Sequence, residues 1–243
     1  MDDEHFSIEH EPALGGGQFQ EDPSEARAAP TGRAPDEMET LRDSIAAEPA
    51  LADHRDPAQF SAWLARKRAG STLAGDLAVT FLAAVLGGPA AVLGAFMAGQ
   101  QGTSRLLYVI LIGPIIEELL KQSGMIYLVE KKPYRVFATW QFVFAAGVSG
   151  AVFATIENLV YIHLYAPLGG VEDVARLAEF RWAVCTPLHV GCSLIASVGL
   201  MRAWVRQQAA GRPLELSDAF GWFALAIGVH GLYNFVAAIF VSF

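Results

Sequence analysis

The chain has 243 residues, of which 53% are hydrophobic and only 17% are charged, and its mean hydropathy is +0.35. This composition excludes an ordinary soluble globular domain. The charges divide unevenly, because residues 1–58 hold 15 acidic and 4 basic residues, whereas residues 59–243 hold 10 acidic and 13 basic ones. Since no dense basic patch with interleaved aromatic residues occurs, we expect no nucleic-acid partner.

The first 58 residues are predicted to form a disordered, acidic, cytoplasmic tail, because they combine low hydrophobicity with a high net charge. A short helix is predicted within this tail around Pro35–Ala47. Residues 59–72 are predicted to form a juxtamembrane segment, with a helix over Pro57–Ala69 whose aromatic residues precede a basic run. That pattern is typical of a helix at the membrane interface.

Five long apolar segments follow, and each is about as long as the ~20 residues that a membrane-spanning helix needs. We therefore predict an all-α, polytopic integral membrane bundle of about five transmembrane helices, and we assign residues 73–243 to one membrane-embedded domain. The five predicted segments are Leu73–Ala98, Leu106–Val129, Phe137–Tyr165, Arg181–Trp204 and Ala219–Phe243.

The basic residues between these segments predict the orientation of the bundle. Basic clusters lie before the first segment, between the second and third, and between the fourth and fifth, so they all fall on one side. That side is the cytoplasm by the positive-inside rule. We predict a cytoplasmic N-terminus and an extracytoplasmic C-terminus, in the inner (plasma) membrane of a bacterium.

The second segment carries two carboxylates and an amine at helical spacing. Glu117 and Glu118 lie four and three residues before Lys121, so the ammonium group can reach either carboxylate. Pro114 precedes them and is expected to kink the helix. Ionisable residues at such depth are costly and usually mark a functional site, although a buried ion pair that only packs helices is the alternative.

Each of the last three segments adds ionisable or polar residues. Glu157 lies in the third segment, His189 in the fourth, and His230 with Asn234, one turn later, in the fifth. Arg181 precedes His189 on the same helix face, near the outer membrane edge, where we expect it to extend towards water.

Depth provides a test of whether these residues form one site. At 1.5 Å per residue, Glu117, Glu157, His189 and His230 all fall between the bilayer midplane and the outer leaflet. Residues that make independent packing contacts need not lie at the same depth in the bilayer. Residues that form one outward-opening site must lie at a similar depth. We therefore expect a single site on the outer side.

Two histidines and a glutamate can hold a Zn²⁺ ion with an open position for water. This chemistry makes Glu157, His189 and His230 candidate metal ligands and makes Glu117 a candidate general base. Lys121 or Asn234 would stabilise the oxyanion of a tetrahedral intermediate.

A mechanism without a metal is also consistent with these residues, with Glu117 activating water and the two histidines polarising the carbonyl. The alternative from another functional class is a non-enzymatic membrane protein that uses the same buried residues as a proton or ion relay. The sequence shows no internal repeat of the kind that many transporters have.

The chain resembles the PrsW family of intramembrane proteases, within the superfamily of CAAX prenyl proteases and bacteriocin-processing enzymes. The resemblance covers residues 73–243, with four motifs in order on separate membrane segments. These motifs are EExxK at Glu117, Glu118 and Lys121, FxxxEN at Phe153, Glu157 and Asn158, the histidine His189, and HxxxN at His230 and Asn234.

The resemblance implies a membrane-embedded endopeptidase that makes a site-1 cut in an anti-sigma factor, a membrane-anchored protein, on its extracytoplasmic side. It assigns Glu117, Glu157, His189 and His230 as the functional set. The wider superfamily more often has EExxxR and FxxxH, so Lys121 and Glu157 place the chain on the PrsW branch. Many relatives have more than five membrane helices.

Overall fold

The computed structural model describes residues 57–99, 105–211 and 214–240, and all regular secondary structure within these ranges is helical. The predicted acidic tail lies outside the described residues apart from its last two positions, and the helix predicted at Pro35–Ala47 lies outside them entirely. The helix predicted at Pro57–Ala69 is present with those bounds.

Six helices make up the described chain. The third, α3, covers 105–131 and combines an α-helical turn at Arg105–Leu107, a π-helical turn at Tyr108–Ile112 and an α-helix at Gly113–Lys131. The others are α1 at Pro57–Ala69, α2 at Leu73–Gly99, α4 at Trp140–Gly169, α5 at Val174–Ala210 and α6 at Phe220–Phe240. Short 3₁₀ turns at Pro133–Arg135 and Leu216–Ala219 precede α4 and α6.

Four of the six helices, α2, α4, α5 and α6, are long and apolar enough to cross a membrane. Large apolar side chains such as Leu86, Leu93 and Phe96 on α2 remain exposed, as expected of a surface that faces lipid. The prediction of an integral membrane helical bundle is therefore confirmed. The remaining long segment, α3, is not among the four, and it holds Glu117, Glu118 and Lys121 in buried positions.

Close packing of α2 positions two parts of the site. A Cβ atom at Gly87 would lie 2.5 Å from the carbonyl oxygen of Lys121, and one at Gly88 would lie 2.8 Å from the backbone nitrogen of Phe153. Only glycine allows helices to approach this closely. Glycines on α2 therefore allow α2 to pack closely against α3 and α4 at the backbone of two motif residues, Lys121 and Phe153.

A polar cluster ties the start of α2 to the connection between α3 and α4. Asp76 is buried, and its carboxylate accepts hydrogen bonds from Arg135 at 2.8 Å and from Ser71 at 3.1 Å. Nearby, the Gln141 side chain donates to the Thr80 hydroxyl at 2.7 Å. These contacts fix the end of the bundle at which α2 and α4 begin.

We predict that Asp76→Ala lowers the melting temperature of the protein in detergent by several degrees. The substitution leaves Arg135 without its carboxylate and removes hydrogen bonds to a charged group, which costs about 1–3 kcal/mol. Glu130→Ala is the matched control, because the Glu130–Lys131 pair is 4.0 Å apart and both side chains are largely exposed. Equal melting temperatures for the two variants would contradict the prediction.

Candidate functional site

The ionisable residues of four helices meet in one place. The rings of His189 on α5 and His230 on α6 lie 4.9 Å apart between centroids, at an interplanar angle of 82°. Glu117 and Glu118 approach them from α3, and Glu157 approaches from α4. The structure therefore brings together the residues that the sequence placed at a common depth.

Glu118 organises the side of the site that lies against α3. Its side chain is fully buried, and its Oε1 atom accepts hydrogen bonds from Lys121 Nζ at 2.6 Å and from His230 Nδ1 at 2.8 Å. The Lys121 ammonium also lies 4.6 Å from the centroid of the Phe153 ring. Neither Glu118 nor Lys121 lines a cavity at the site, so the structure gives the Lys121 amine no contact with the space a substrate would use.

Glu157 organises the opposite side. Its Oε2 atom accepts hydrogen bonds from His189 Nε2 at 2.9 Å and from the Arg181 guanidinium at 2.7 Å. Arg181 also donates from Nε to Asn158 at 3.0 Å and stacks on the Tyr161 ring at 3.7 Å. The expectation that Arg181 extends towards water is wrong, because its residue is only 8% exposed and its charge is paired with Glu157 inside the bundle.

The two histidines are held in the same manner. An ionised carboxylate can only accept hydrogen bonds, so His189 Nε2 and His230 Nδ1 must be the protonated nitrogens. A neutral ring then has its lone pair on the other nitrogen, which is Nδ1 of His189 and Nε2 of His230. A carboxylate that orients a histidine in this way is the common arrangement around metal-binding histidines.

Glu117 lies close to both histidines. One ligand atom from each of Glu117, His189 and His230 lies within 4.8 Å of the others. Glu117 Oε2 lies 3.6 Å from His230 Nε2, and both Glu117 Oε2 and His189 Nδ1 are buried without a hydrogen-bond partner among the described residues. Buried atoms of this kind are costly, so these donors fit a divalent metal ion.

Two cavities border the site. The smaller has a volume of about 100 Å³ and is lined by Glu117, Glu157 and His189. The larger, of about 710 Å³, lies between the start of α3, the end of α4, the start of α5 and the end of α6. Asn234 lines both cavities, and its side-chain amide donates to the carbonyl oxygen of Val109 at 2.9 Å.

Three π-helical turns surround these cavities, and the sequence analysis missed them. They lie at Tyr108–Ile112, Tyr161–Tyr165 and Arg181–Cys185, and each contributes residues to the lining.

A proline two residues beyond each turn is the signal that could have identified it, at Pro114, Pro167 and Pro187. A proline ring clashes with the carbonyl group four residues before it. In each case that carbonyl belongs to the middle residue of the π-turn, where the helix widens.

Comparison with models of protein families matched residues 65–243 to the family described as PrsW family intramembrane metalloprotease. The match covers more than half of the chain and agrees with the resemblance found from the motifs. Comparison with curated proteins and with solved structures gave no match.

We predict that Glu118→Gln and Lys121→Met each lower the melting temperature in detergent, whereas the double variant loses less than the sum of the two. Each single change leaves a buried charge without its partner, which costs about 3–5 kcal/mol, and removing both charges avoids that penalty. Thermal unfolding of the four proteins measures the coupling. Additive losses would mean that the pair contributes no interaction energy.

Proposed function

The chain belongs to the PrsW family of intramembrane metalloproteases, and on this basis we propose that it hydrolyses a peptide bond of a membrane-anchored protein at the site formed by Glu117, His189 and His230. One observation supports this most strongly. Each histidine has one nitrogen bound to a carboxylate, and one ligand atom from each of Glu117, His189 and His230 lies within 4.8 Å of the others.

Glu117, His189 and His230 would hold the metal ion. Two imidazole nitrogens and one carboxylate are a common ligand set for catalytic Zn²⁺, and they leave a position open for water. When bound, the ion supplies a Lewis acid for the scissile carbonyl and for the attacking water. Glu118 and Glu157 would fix the orientation of the two histidine rings from outside the ligand set.

Glu157 is the carboxylate best placed to accept a proton from water in the smaller cavity. Its side chain is 22% exposed, compared with 10% for Glu117, and it lines that cavity. Arg181 fixes its Oε2 atom, so Oε1 remains for the water. This assignment exchanges the roles that the sequence suggested for Glu117 and Glu157.

Asn234 is the candidate group for stabilising the oxyanion. Its side-chain nitrogen carries two hydrogens, of which one is bonded to the Val109 carbonyl. The second hydrogen is available to an oxygen in the cavities that Asn234 lines. A donor held in place before the reaction costs no reorganisation when charge develops on the substrate.

The substrate that we propose is a membrane-anchored protein of the anti-sigma-factor type, cut at site 1 near its extracytoplasmic face. The larger cavity lies at one end of the bundle, between helix ends that the positive-inside rule assigns to the outside. The basic residues in the last turns of α1 and α3 belong to the opposite end. The position of the cavity supports an outward-facing site.

We predict that the wild-type protein, purified without chelators, contains about one Zn²⁺ per chain and that the His189→Ala/His230→Ala variant contains none. Glu117→Gln is expected to lose most of the metal, because it removes a charged ligand. Glu157→Gln is expected to keep the metal and lose cleavage. Inductively coupled plasma mass spectrometry and a cleavage assay on a single-pass anti-sigma factor measure the two properties.

His163→Ala is the control for these variants, because His163 is exposed and lines neither cavity. If Glu117→Gln keeps its full metal content but does not cleave, Glu117 is the base and Glu157 the third ligand. Absence of metal from an active wild type would favour direct activation of water by Glu117. Full cleavage by the double histidine variant would overturn the proposed site.

The proposed orientation predicts opposite labelling of two loops. In a variant with Cys185 and Cys192 replaced by Ala, we expect a membrane-impermeant thiol reagent to label Glu172→Cys in intact cells. Lys131→Cys should react only after permeabilisation, because the basic loop after α3 faces the cytoplasm. Both native residues are exposed. The reverse labelling pattern would show that the bundle is inserted the other way.

A further inference from the structure

The larger cavity adjoins the proposed metal site but is not lined by its carboxylates or by His189. It has a volume of about 710 Å³, and none of Glu117, Glu157 or His189 lines it. We propose that this cavity is the subsite that binds a short, unwound, apolar segment of the substrate next to the scissile bond, and that it selects against lysine and arginine there. This inference rests on the proposed function, since it names what the same site would bind.

The first argument is continuity with the catalytic cavity. The two cavities share six lining residues, which are Val109, Tyr161, Arg181, Cys185, Tyr233 and Asn234. Two of the three π-helical turns end at residues of the larger cavity, at Tyr165 and at Cys185. A substrate segment that fills the larger cavity would therefore extend into the smaller cavity, which is lined by Glu117 and Glu157.

The second argument is size. A volume of about 710 Å³ is within the range of roughly 300–1,000 Å³ in which proteins enclose a drug-sized ligand. This is more than one side chain occupies, so the cavity can hold a segment of a few residues. A peptide bond inside an intact helix has its backbone groups bonded within that helix, and it must be unwound before water can attack it.

The third argument is that the lining can satisfy an unwound backbone. Free N–H and C=O groups are costly in an apolar environment unless they find partners. The polar groups of Arg181, Tyr233 and Asn234 all lie where the two cavities meet, which is where the unwound bond would be. The Tyr233 hydroxyl is 3.1 Å from Cys185 Sγ. To bind a substrate backbone group, this hydroxyl would give up only a weak hydrogen bond with a thiol.

The fourth argument is the chemistry of the walls. Away from the junction the lining is aromatic or aliphatic, with Tyr165, Phe180, Leu106 and Leu177 among its members. Among the described residues of the lining, Arg181 is the one charged side chain, and its charge is already paired with Glu157. A substrate lysine or arginine against these walls would lose water and meet no unpaired carboxylate among the described lining residues, which is unfavourable. Apolar and aromatic side chains meet no such penalty.

Ala237 offers a way to test the subsite without altering the catalytic residues. It lies on α6, lines the larger cavity and is absent from the smaller one. Ala237→Phe would fill part of the larger cavity. Ala224→Phe on the same helix is the matched control, because Ala224 is exposed and lines neither cavity.

The probes are synthetic Ala/Leu peptides of about 20 residues, each with a fluorescent label and a single central guest residue, which is Phe, Leu, Ala or Lys. Fluorescence anisotropy in detergent measures their binding to the wild type, Ala237→Phe and Ala224→Phe. We expect the wild type to bind the Phe and Leu peptides at least tenfold more tightly than the Lys peptide. Ala237→Phe should reduce this preference at least fivefold, and Ala224→Phe should leave it unchanged.

Cleavage of the same peptides is measured separately. If the Phe preference is present and depends on Ala237 but no peptide is cut, the subsite stands and the proposed function fails. If the Lys peptide binds as tightly as the Phe peptide, or if both alanine variants behave alike, the subsite is wrong even where cleavage occurs. Metal content equal to that of the wild type shows that Ala237→Phe retains the folded site.

Discussion

The pairing of buried charges is the constraint on which the site depends. An ionised side chain in a membrane interior costs several kcal/mol unless it finds a partner. Glu118 is paired with Lys121, and Glu157 is paired with Arg181. Each of these carboxylates also binds one histidine nitrogen, so the contacts that make the charges tolerable also set the orientation of the imidazole rings.

This arrangement leaves the reactive atoms of the site without partners of their own. Lone pairs remain on Nδ1 of His189 and Nε2 of His230, and Glu117 Oε2 has no hydrogen bond among the described residues. Two buried acceptors without partners in one cluster, Glu117 Oε2 and His189 Nδ1, would destabilise a purely structural core. Under the proposed function, these groups would bind the metal ion.

Backbone irregularities place these groups next to space that a substrate can enter. The π-helical turns widen α3, α4 and α5 at the same end of the bundle, two residues before a proline in each case. Close glycine contacts keep α2 against α3 and α4 on the other side of the motif residues. The bundle is thus tightly packed on the side of the site that faces α2, and the two cavities lie on the side that the π-helical turns line.

The sequence by itself determined the helical membrane architecture and the helix at Pro57–Ala69, because apolar length and helical spacing are local properties, and it identified Glu117, Glu157, His189 and His230 as residues that lie close together. Only the tertiary structure decided that Arg181 pairs with Glu157, that Glu118 rather than Glu117 holds Lys121, and that Glu117 lies next to Nε2 of His230. Spacing within one helix specifies a face, but the partner of that face depends on how neighbouring helices are rotated and how closely they approach. Those quantities are set by packing over the whole bundle, and under the proposed function they distinguish the metal ligand Glu117 from the proton acceptor Glu157.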